Sequence, residues 1–431
     1  MAWQEKRSDI NDQAEQIAQT IRKIHTSQPA NTSWSQRDLT DKLQTYFQNH
    51  FDWQNGGFGN APKFPPDQAL ALLQDPSISF SDAKDMIALT LTKMANGGIQ
   101  DHLGGGFHRY STDAKWHVPH FEKMLYNQSL FAESYLHAYQ NTQTETYRQT
   151  VEDLLQFVST SMTGANGGFY SAIDAETDAE EGAHYIWAES EIRNIIGSDT
   201  DLLFEAFALA PVPDTQAGAL YRIQSDADLA QEKDMPTTEI HGQISKLRSR
   251  LLEERNTRKF PLLDDKIITG WNGLMIAAYA QSARILNRPQ DVATAQKAAA
   301  FILNNLQDES GTLYRIYHSN QRKIPAYQED YAYFIRGLIE LYRTTKKISF
   351  LNEAEHLTKQ MNIRFGDPDK GGYFFTPSDT ELFVRAKSSS DGALPSGNAV
   401  ALHNFCDLYE LTGQTHYIDQ AKTLFAAFSD K

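Results

Sequence analysis

GGFGN at 56–60, GGGFHRY at 104–110, GGFYSA at 167–172, GTLYRIY at 311–317 and GGYFFT at 371–376 punctuate the chain. In each, glycine lets the backbone turn sharply and an aromatic residue follows to pin the loop. Measured from Gly57, Gly106, Gly168, Gly311 and Gly372, the steps are 49, 62, 143 and 61 residues, so the long step has room for two units with an insertion. Between these marks the apolar spacing is helical. Leu274, Met275, Ala278, Tyr279, Ile285 and Leu286, then Tyr331, Phe334, Ile335, Leu338, Ile339 and Tyr342, follow the i, i+3/i+4, i+7/i+8 template. Helices are predicted at 9–25, 37–50, 67–74, 81–96, 121–141, 145–163, 189–210, 240–255, 270–287, 290–307, 327–345, 348–365, 397–412 and 416–428, mostly in pairs. Helical hairpins stacked at a fixed period bury one continuous core between neighbours, and six of them can close on themselves. The expected fold is all-α, an (α/α)6 toroid with short β-hairpin rim loops and inner helices around a cavity. An open α-solenoid and two separate bundles are the alternatives.

Composition narrows the function. Of 431 residues, 40% are hydrophobic and 22% charged, ordinary globular usage with enough apolar mass for a large core. The net charge of −15 repels phosphate backbones and anionic lipid, so neither nucleic acid nor a membrane is an expected partner. The single cysteine, Cys406, excludes an internal disulfide framework, a CxxC pair and a cysteine-rich zinc site. MAWQEKRSDINDQAEQIAQTI lacks the apolar core of a signal peptide, and no run reaches the ~18 apolar residues of a membrane span, so a cytoplasmic location is expected.

The blocks GGIQDHLGGGFHRYSTDAKWHVPHFEKMLYNQ (97–128), GGFYSAIDAETDAEEG (167–182), DDKIITGWNGL (264–274), YQEDYAYFIRGLIELY (327–342) and SDGALPSGNAV (390–400) resemble those of a known family. It is that of the thioredoxin-domain-containing proteins related to spermatogenesis-associated protein 20, and the likeness runs nearly end to end. The resemblance implies a helical toroid similar to six-hairpin glycosidases and N-acylglucosamine 2-epimerases, preceded by a thioredoxin-like domain. Against that pattern the chain begins about where the thioredoxin-like domain would finish and stops short of a C-terminal segment. The expectation is therefore a single toroid domain over 1–431, incomplete at both ends, with any redox role supplied by a thioredoxin-like domain in trans.

Residues 101–127 concentrate the chemistry, with Asp101, His102, His108, Arg109, Asp113, Trp116, His117, His120, Glu122, Lys123, Tyr126 and Asn127 in one stretch. Pro119 suits a helix opening, which would put His120, Lys123 and Asn127 on one face, His120 for proton transfer and Lys123 to anchor an anionic or polyhydroxy ligand. Asp174 follows GGFYSAI and is expected to serve as a functional carboxylate, while Glu176, Asp178, Glu180 and Glu181 read as a solvated acidic run. Trp271 and Asn272 suit a sugar, the indole stacking on its apolar face and the amide bonding its hydroxyls. Glu329 and Asp330 open the helix that carries Tyr331 and Tyr333, and Arg385, Lys387, Ser396 and Asn398 precede a helix with His403. The expected catalytic residues are His120, Glu122, Asp174 and Asp330. The expected substrate-binding residues are His108, Arg109, Trp116, Lys123, Asn127, Trp271, Asn272 and Glu329. His102, His108, His117 and His120 with Asp101 fit no zinc spacing such as HExxH, and no GxSxG elbow, P-loop or dinucleotide fingerprint occurs, so neither a metal nor a cofactor is expected.

The primary expectation is a carbohydrate-active toroid working by acid/base chemistry on a sugar or sugar derivative. As an epimerase, His120 would exchange a proton alpha to a carbonyl, with His108 or His403 opposite; as a glycoside hydrolase, Asp174 and Asp330 or Glu122 would be the carboxylate pair. The alternatives are a noncatalytic ligand- or partner-binding module, and a degenerate enzyme that keeps its cavity as scaffold.

Overall fold

The structure, a computed structural model, describes residues 2–25, 35–78 and 80–429. The chain gathers into two compact units, one of Met1–Trp34, Ile267–Ala283 and Pro289–Lys431, the other of Ser35–Lys266 with Arg284–Arg288.

The second unit begins with helices Gln36–His50, Asp67–Leu73 and Ala83–Asn96, followed by the pair Leu125–Thr142 and Glu145–Ser161. Ser35 caps the first by accepting from the Asp38 N–H, and Gln143, left-handed at φ 56°, turns the pair around. The two members of the pair bury differently. From Leu125 to Leu136 every residue is buried, so that helix is packed on all sides, whereas Glu145–Ser161 buries one stripe through Tyr147, Val151, Leu154, Leu155 and Val158.

The predicted helix at 121–141 starts four residues late, and the reason bears on the site. Pro119–His120 pairs with Tyr110–Ser111, and Lys123–Met124 pairs with Ala172–Ile173. His120, Lys123 and Asn127 therefore do not share a helical face, because the first two lie in different strands ahead of the helix. Ala172–Ile173 pairs in turn with Leu263–Asp264. Everything from Asp174 to Leu262 is thus inserted between two neighbouring strands. The insertion has a hairpin of Glu176–Thr177 and Glu180–Glu181, a second of Phe207–Pro211 and Gly218–Arg222, and helices Glu189–Ile196, Thr200–Ala206, Asp226–Glu232 and Thr237–Arg255. Trp187, Ile192, Leu203, Phe207, Ile240 and Leu251 form its core, joined by Leu103. The predicted helix at 189–210 breaks where Gly197 takes φ +72° and ends where Phe207 enters its strand. The 143-residue step holds this insertion and one helical pair, not two.

That pair is Thr269–Ile285 with Pro289–Asn305. The first unit continues with Gln328–Thr345 and Ile348–Phe365, reversed at Lys346 (φ 57°), then Gly397–Thr412 and Thr415–Ala426, reversed at Gly413 (φ 69°). Ile267–Ile268, Tyr314–His318 and Gln321–Pro325 make a three-stranded antiparallel sheet within it.

The punctuating segments prove to be one repeated turn. A residue just past a helix bridges to the apolar residue after the glycines in all five: Phe51 to Phe58, Gln100 to Phe107, Thr163 to Phe169, Gln307 to Leu313 and Gly366 to Tyr373. Four of the turns are organised by an aspartate, namely Asp52, Asp101, Asp308 and Asp367, whose carboxylate accepts from backbone N–H groups two to four residues on. In three of them the other carboxylate oxygen takes a buried lysine: Lys63 on Asp52 at 2.7 Å, Lys123 on Asp101 at 2.7 Å and Lys387 on Asp367 at 2.5 Å. Each ammonium also faces a ring, Trp116, Phe157 and Phe374 respectively.

Candidate functional site

Several expected site residues lie inside these turns. The Lys123 ammonium, 1% exposed, is bound by Asp101 and the Gly105 carbonyl, with Arg255 on the same aspartate at 2.7 Å. It has no reach to a ligand. Trp116 is fully buried, its indole N–H donating to the Asn55 carbonyl and its ring under Lys63, so no face is left for a sugar. His108 is buried with Nδ1 on the Phe121 carbonyl, and burial, aided by the nearby Lys123, pushes it down to about 3. A neutral imidazole sealed in the core cannot take the opposite side of an epimerisation. Asn127 and Asn272 are also buried, the latter donating to the Ile268 carbonyl. Among the described residues no three His, Cys, Asp or Glu side chains converge as metal ligands.

Three expected residues, Arg109, His120 and Glu122, come together at the surface of the second unit. The hairpin that pairs Tyr110 with His120 puts Arg109 beside Glu122, its guanidinium 2.9 Å from the carboxylate, and Arg109 also donates to the Tyr126 hydroxyl. His120 stands between two acids: Nδ1 is 2.7 Å from Glu181 and Nε2 is 3.6 Å from Glu122. Its ring stacks on Tyr110 at 5.0 Å, and Tyr110 stacks on Phe64 at 4.6 Å, which is 53% exposed. Charge follows geometry. Glu122 and Glu181 raise the affinity of His120 for its proton above the ordinary 6.5 despite partial burial, and His120 and Arg109 hold the Glu122 carboxyl below its usual range. His102 and His184, buried among cations, go the other way, to about 3 and about 4.

Glu181, Tyr110 and Phe64 were not anticipated. Glu181 belongs to the acidic run, where the hairpin closed by Asp178 and Ala179 at positive φ turns this one side chain onto His120. Phe64 follows Lys63, whose backbone pairs with Ser111 and so sets the two rings side by side. Asp174 is exposed and accepts from the Glu176 N–H in a local turn.

In the first unit, Glu329 and Asp330 share Arg315, each at 2.9 Å. Asp330 is buried and its oxygens are already engaged, accepting from the Gly270 and Tyr327 N–H groups as well as Arg315. Burial pushes its carboxyl up to about 6 against the pull of Arg315. Glu329 is partly exposed and borders a pocket of about 340 Å³. Trp271 is half-buried in the first turn of its helix.

No family model matches the sequence. Human spermatogenesis-associated protein 20 is 34% identical over 426 residues, covering 88% of this chain and 54% of that protein. The mouse protein is 34% identical over 433 residues with the same coverage. An uncharacterized protein of Caenorhabditis elegans is 28% identical over all of this chain and 64% of its own length. The chain is a homologue of spermatogenesis-associated protein 20 and spans about half the length of the mammalian relatives. Among solved structures, cellobiose 2-epimerase from Bacillus thermoamylovorans superposes with TM-score 0.55 at 10% identity, over 90% of this chain and 86% of that one. A family 76 α-mannanase from Bacteroides thetaiotaomicron superposes with TM-score 0.56 at 12% identity, over 92% and 85%. This likeness shows the fold, the all-α (α/α)6 toroid class with short antiparallel hairpins. No helix among the described residues is long and apolar enough to cross a membrane.

Proposed function

We propose that this relative of spermatogenesis-associated protein 20 acts on a sugar or sugar derivative by acid/base chemistry, with His120 as its proton-transfer group. The observation that carries the reading is the bracketing of a half-buried imidazole by Glu181 and Glu122 beside an aromatic ledge. Glu181 on Nδ1 orients the ring, the arrangement by which a base is oriented by a third group, and Nε2, 3.6 Å from Glu122, would be shared between that carboxylate and the substrate. Glu122 and Glu181 raise the ring's affinity for the proton above the ordinary 6.5, which favours the imidazolium that can donate one. Phe64, exposed at the end of the Tyr110–His120 stack, offers the stacking face a pyranose ring seeks. Glu122, kept ionised by Arg109, would hydrogen-bond hydroxyls. The fold shared with a sugar epimerase and a mannanase supports the substrate class, although folds host many activities.

Proton exchange of the epimerase or isomerase type is favoured over hydrolysis. Glycoside hydrolysis needs two available carboxyl groups, and Asp330 has its oxygens occupied while Asp174 sits exposed in a local turn.

The test is NMR of mono- and disaccharides incubated with the protein in D2O, alongside a thermal-shift screen, since a ligand at 100 times its Kd stabilises by ~2.7 kcal/mol. Exchange at the carbon next to the anomeric centre, lost in His120→Gln with unchanged melting, is the expected result. Exchange that persists in His120→Gln overturns the assignment, and binding without exchange in the wild type makes the chain a noncatalytic module.

A further inference from the structure

We infer that the pocket bordered by Glu329 is a binding site for an uncharged sugar of monosaccharide size, and that it excludes phosphorylated and uronic acid sugars. The inference rests on the sugar-directed reading for the kind of ligand and adds to it a second site, of stated charge.

The pocket lies wholly within the first unit, between the start of helix Gln328–Thr345 and the segment 388–398. Its volume of about 340 Å³ is near the low end of the ~300–1,000 Å³ typical of ligand sites. The walls are built by internal bonds before any ligand arrives. Tyr333 donates its hydroxyl to the Pro395 carbonyl, Gln328 donates to the Gly397 carbonyl, and Asn398 donates to the Ser388 carbonyl while both giving to and accepting from the Tyr373 backbone. Ser396 adds a bond from its hydroxyl to Ser388. Gly397 is required for this closeness, since a Cβ there would stand 2.2 Å from Gln328 Oε1.

What remains for a ligand is the Ser390 hydroxyl, the Glu329 carboxylate and the ring of Phe375, which rests on Tyr327 at 4.6 Å. Hydroxyl donors and acceptors beside an aromatic face suit a polyol. The only charged lining residue is an acid. The two cations close by in sequence are already engaged: Lys387 holds Asp367 and the Gly371 carbonyl, and Arg385 holds the Thr376 carbonyl over Phe374. Arg315, behind Glu329, is matched by two carboxylates. An anionic sugar would meet Glu329 with no cation among the described lining residues to offset it, and like-charge juxtaposition is how a site rejects a wrong ligand.

The experiment is isothermal titration of glucose, mannose, glucose 6-phosphate and glucuronate into the wild type, Gly392→Phe, Glu329→Gln and His120→Gln, with circular dichroism and melting as folding controls. Gly392 lines the pocket, a Cβ there meets open space and its backbone is not left-handed, so a phenyl ring adds bulk at the pocket's edge without strain. Expected are saturable binding of a neutral hexose, a component of which survives in His120→Gln, and weakening of that component by at least about tenfold in Gly392→Phe. Glu329→Gln is expected to narrow the preference for glucose over glucuronate by about tenfold, the scale of one screened charge a few ångströms away. Should Gly392→Phe fail to fold, Glu329→Gln decides. Neutral-sugar binding untouched by Gly392→Phe and abolished by His120→Gln would overturn this pocket and leave the sugar reading standing. Tighter binding of the phosphate or uronate overturns the charge assignment, and silence from every sugar overturns both readings together.

Discussion

Asp101 is shared by two buried cations, and unequal consequences follow from removing different members of that triad. Asp101→Asn keeps the shape and the acceptor for the Leu103 and Gly104 N–H groups, but it leaves Lys123 and Arg255 buried without a counter-charge. Uncompensating a buried charge costs about 3–5 kcal/mol. Lys123→Met instead leaves a matched Asp101–Arg255 pair, and the Gly105 carbonyl and the Asp101 oxygen that Lys123 held lose their bonds, a loss of about 2 kcal/mol. Part of that loss is returned, because burial pushes Lys123 down to about 8, so its charge is held at a cost. Urea denaturation at pH 7 should place Asp101→Asn about 3 kcal/mol or more below wild type and Lys123→Met within about 1.5 kcal/mol. The pH dependence gives a second signature. A lysine whose native value lies below its unfolded 10.5 binds more protons when unfolded between pH 8 and 10.5, so its contribution to stability rises with pH there, by up to about 3 kcal/mol. The wild type should gain on Lys123→Met across that window. If the two variants lose equally at pH 7, or their difference is flat with pH, the charge accounting is wrong.

Three further outcomes are expected. Gly106→Ala, with φ +73° and a Cβ 2.3 Å from Phe157 Cδ1, should cost well above the ~1–2 kcal/mol of a left-handed residue, whereas Gly59→Ala, equally left-handed but in open space, should cost only that, by thermal melting. Glu181→Gln should lower the His120 titration midpoint toward 6.5 by NMR. Because the native value is raised, the stability His120 contributes is present below pH 6.5 and lost as pH climbs through that midpoint, so the variant loses more at pH 6 than at pH 9. Asp67, buried opposite Glu133, is pushed up to about 7, so the wild type loses stability as pH rises from about 4 to 7; Asp67→Asn should be relatively more stable at pH 8 than at pH 5 by urea melts.

The helical pairs were legible because burial leaves a 3.6-residue period, and 348–365 and 397–412 agree to the residue. The glycine-aromatic marks were legible because glycine takes φ near +73° without strain, as it does at Gly57, Gly106 and Gly372. The aspartates that organise those turns were not, since Asp52, Asp101, Asp308 and Asp367 look like any loop acid until their bonds are seen. The error at Pro119 has the same root: a proline before mixed polar and apolar residues opens helices and ends strands equally well, and pairing with Ser111, eight residues earlier, decided it. Half of the His120 cluster comes from Glu181, sixty-one residues away, a juxtaposition without a local signature. Lys123 and Trp116 misled because chemistry-bearing side chains are also what a dense polar core uses to staple its turns.

The strand pair that opens and closes the insertion makes it an almost detachable cassette. Its two ends, Ala172–Ile173 and Leu263–Asp264, are hydrogen-bonded neighbours, so the excursion begins and finishes at one point. Replacing about 90 residues by a four-residue turn would lower the closure entropy of that junction by roughly 3 kcal/mol, a modest sum for so large an excision. What resists excision is not the junction but the contacts the insertion makes with the rest of its unit, among them Arg255 on Asp101, Glu181 on His120, Arg248 on the His102 carbonyl, Tyr221 stacked on His117 and Leu103 packed into its core. A graft at this point can therefore change size and outline on its far side, while the face turned to the rest of the unit has to keep these contacts in place.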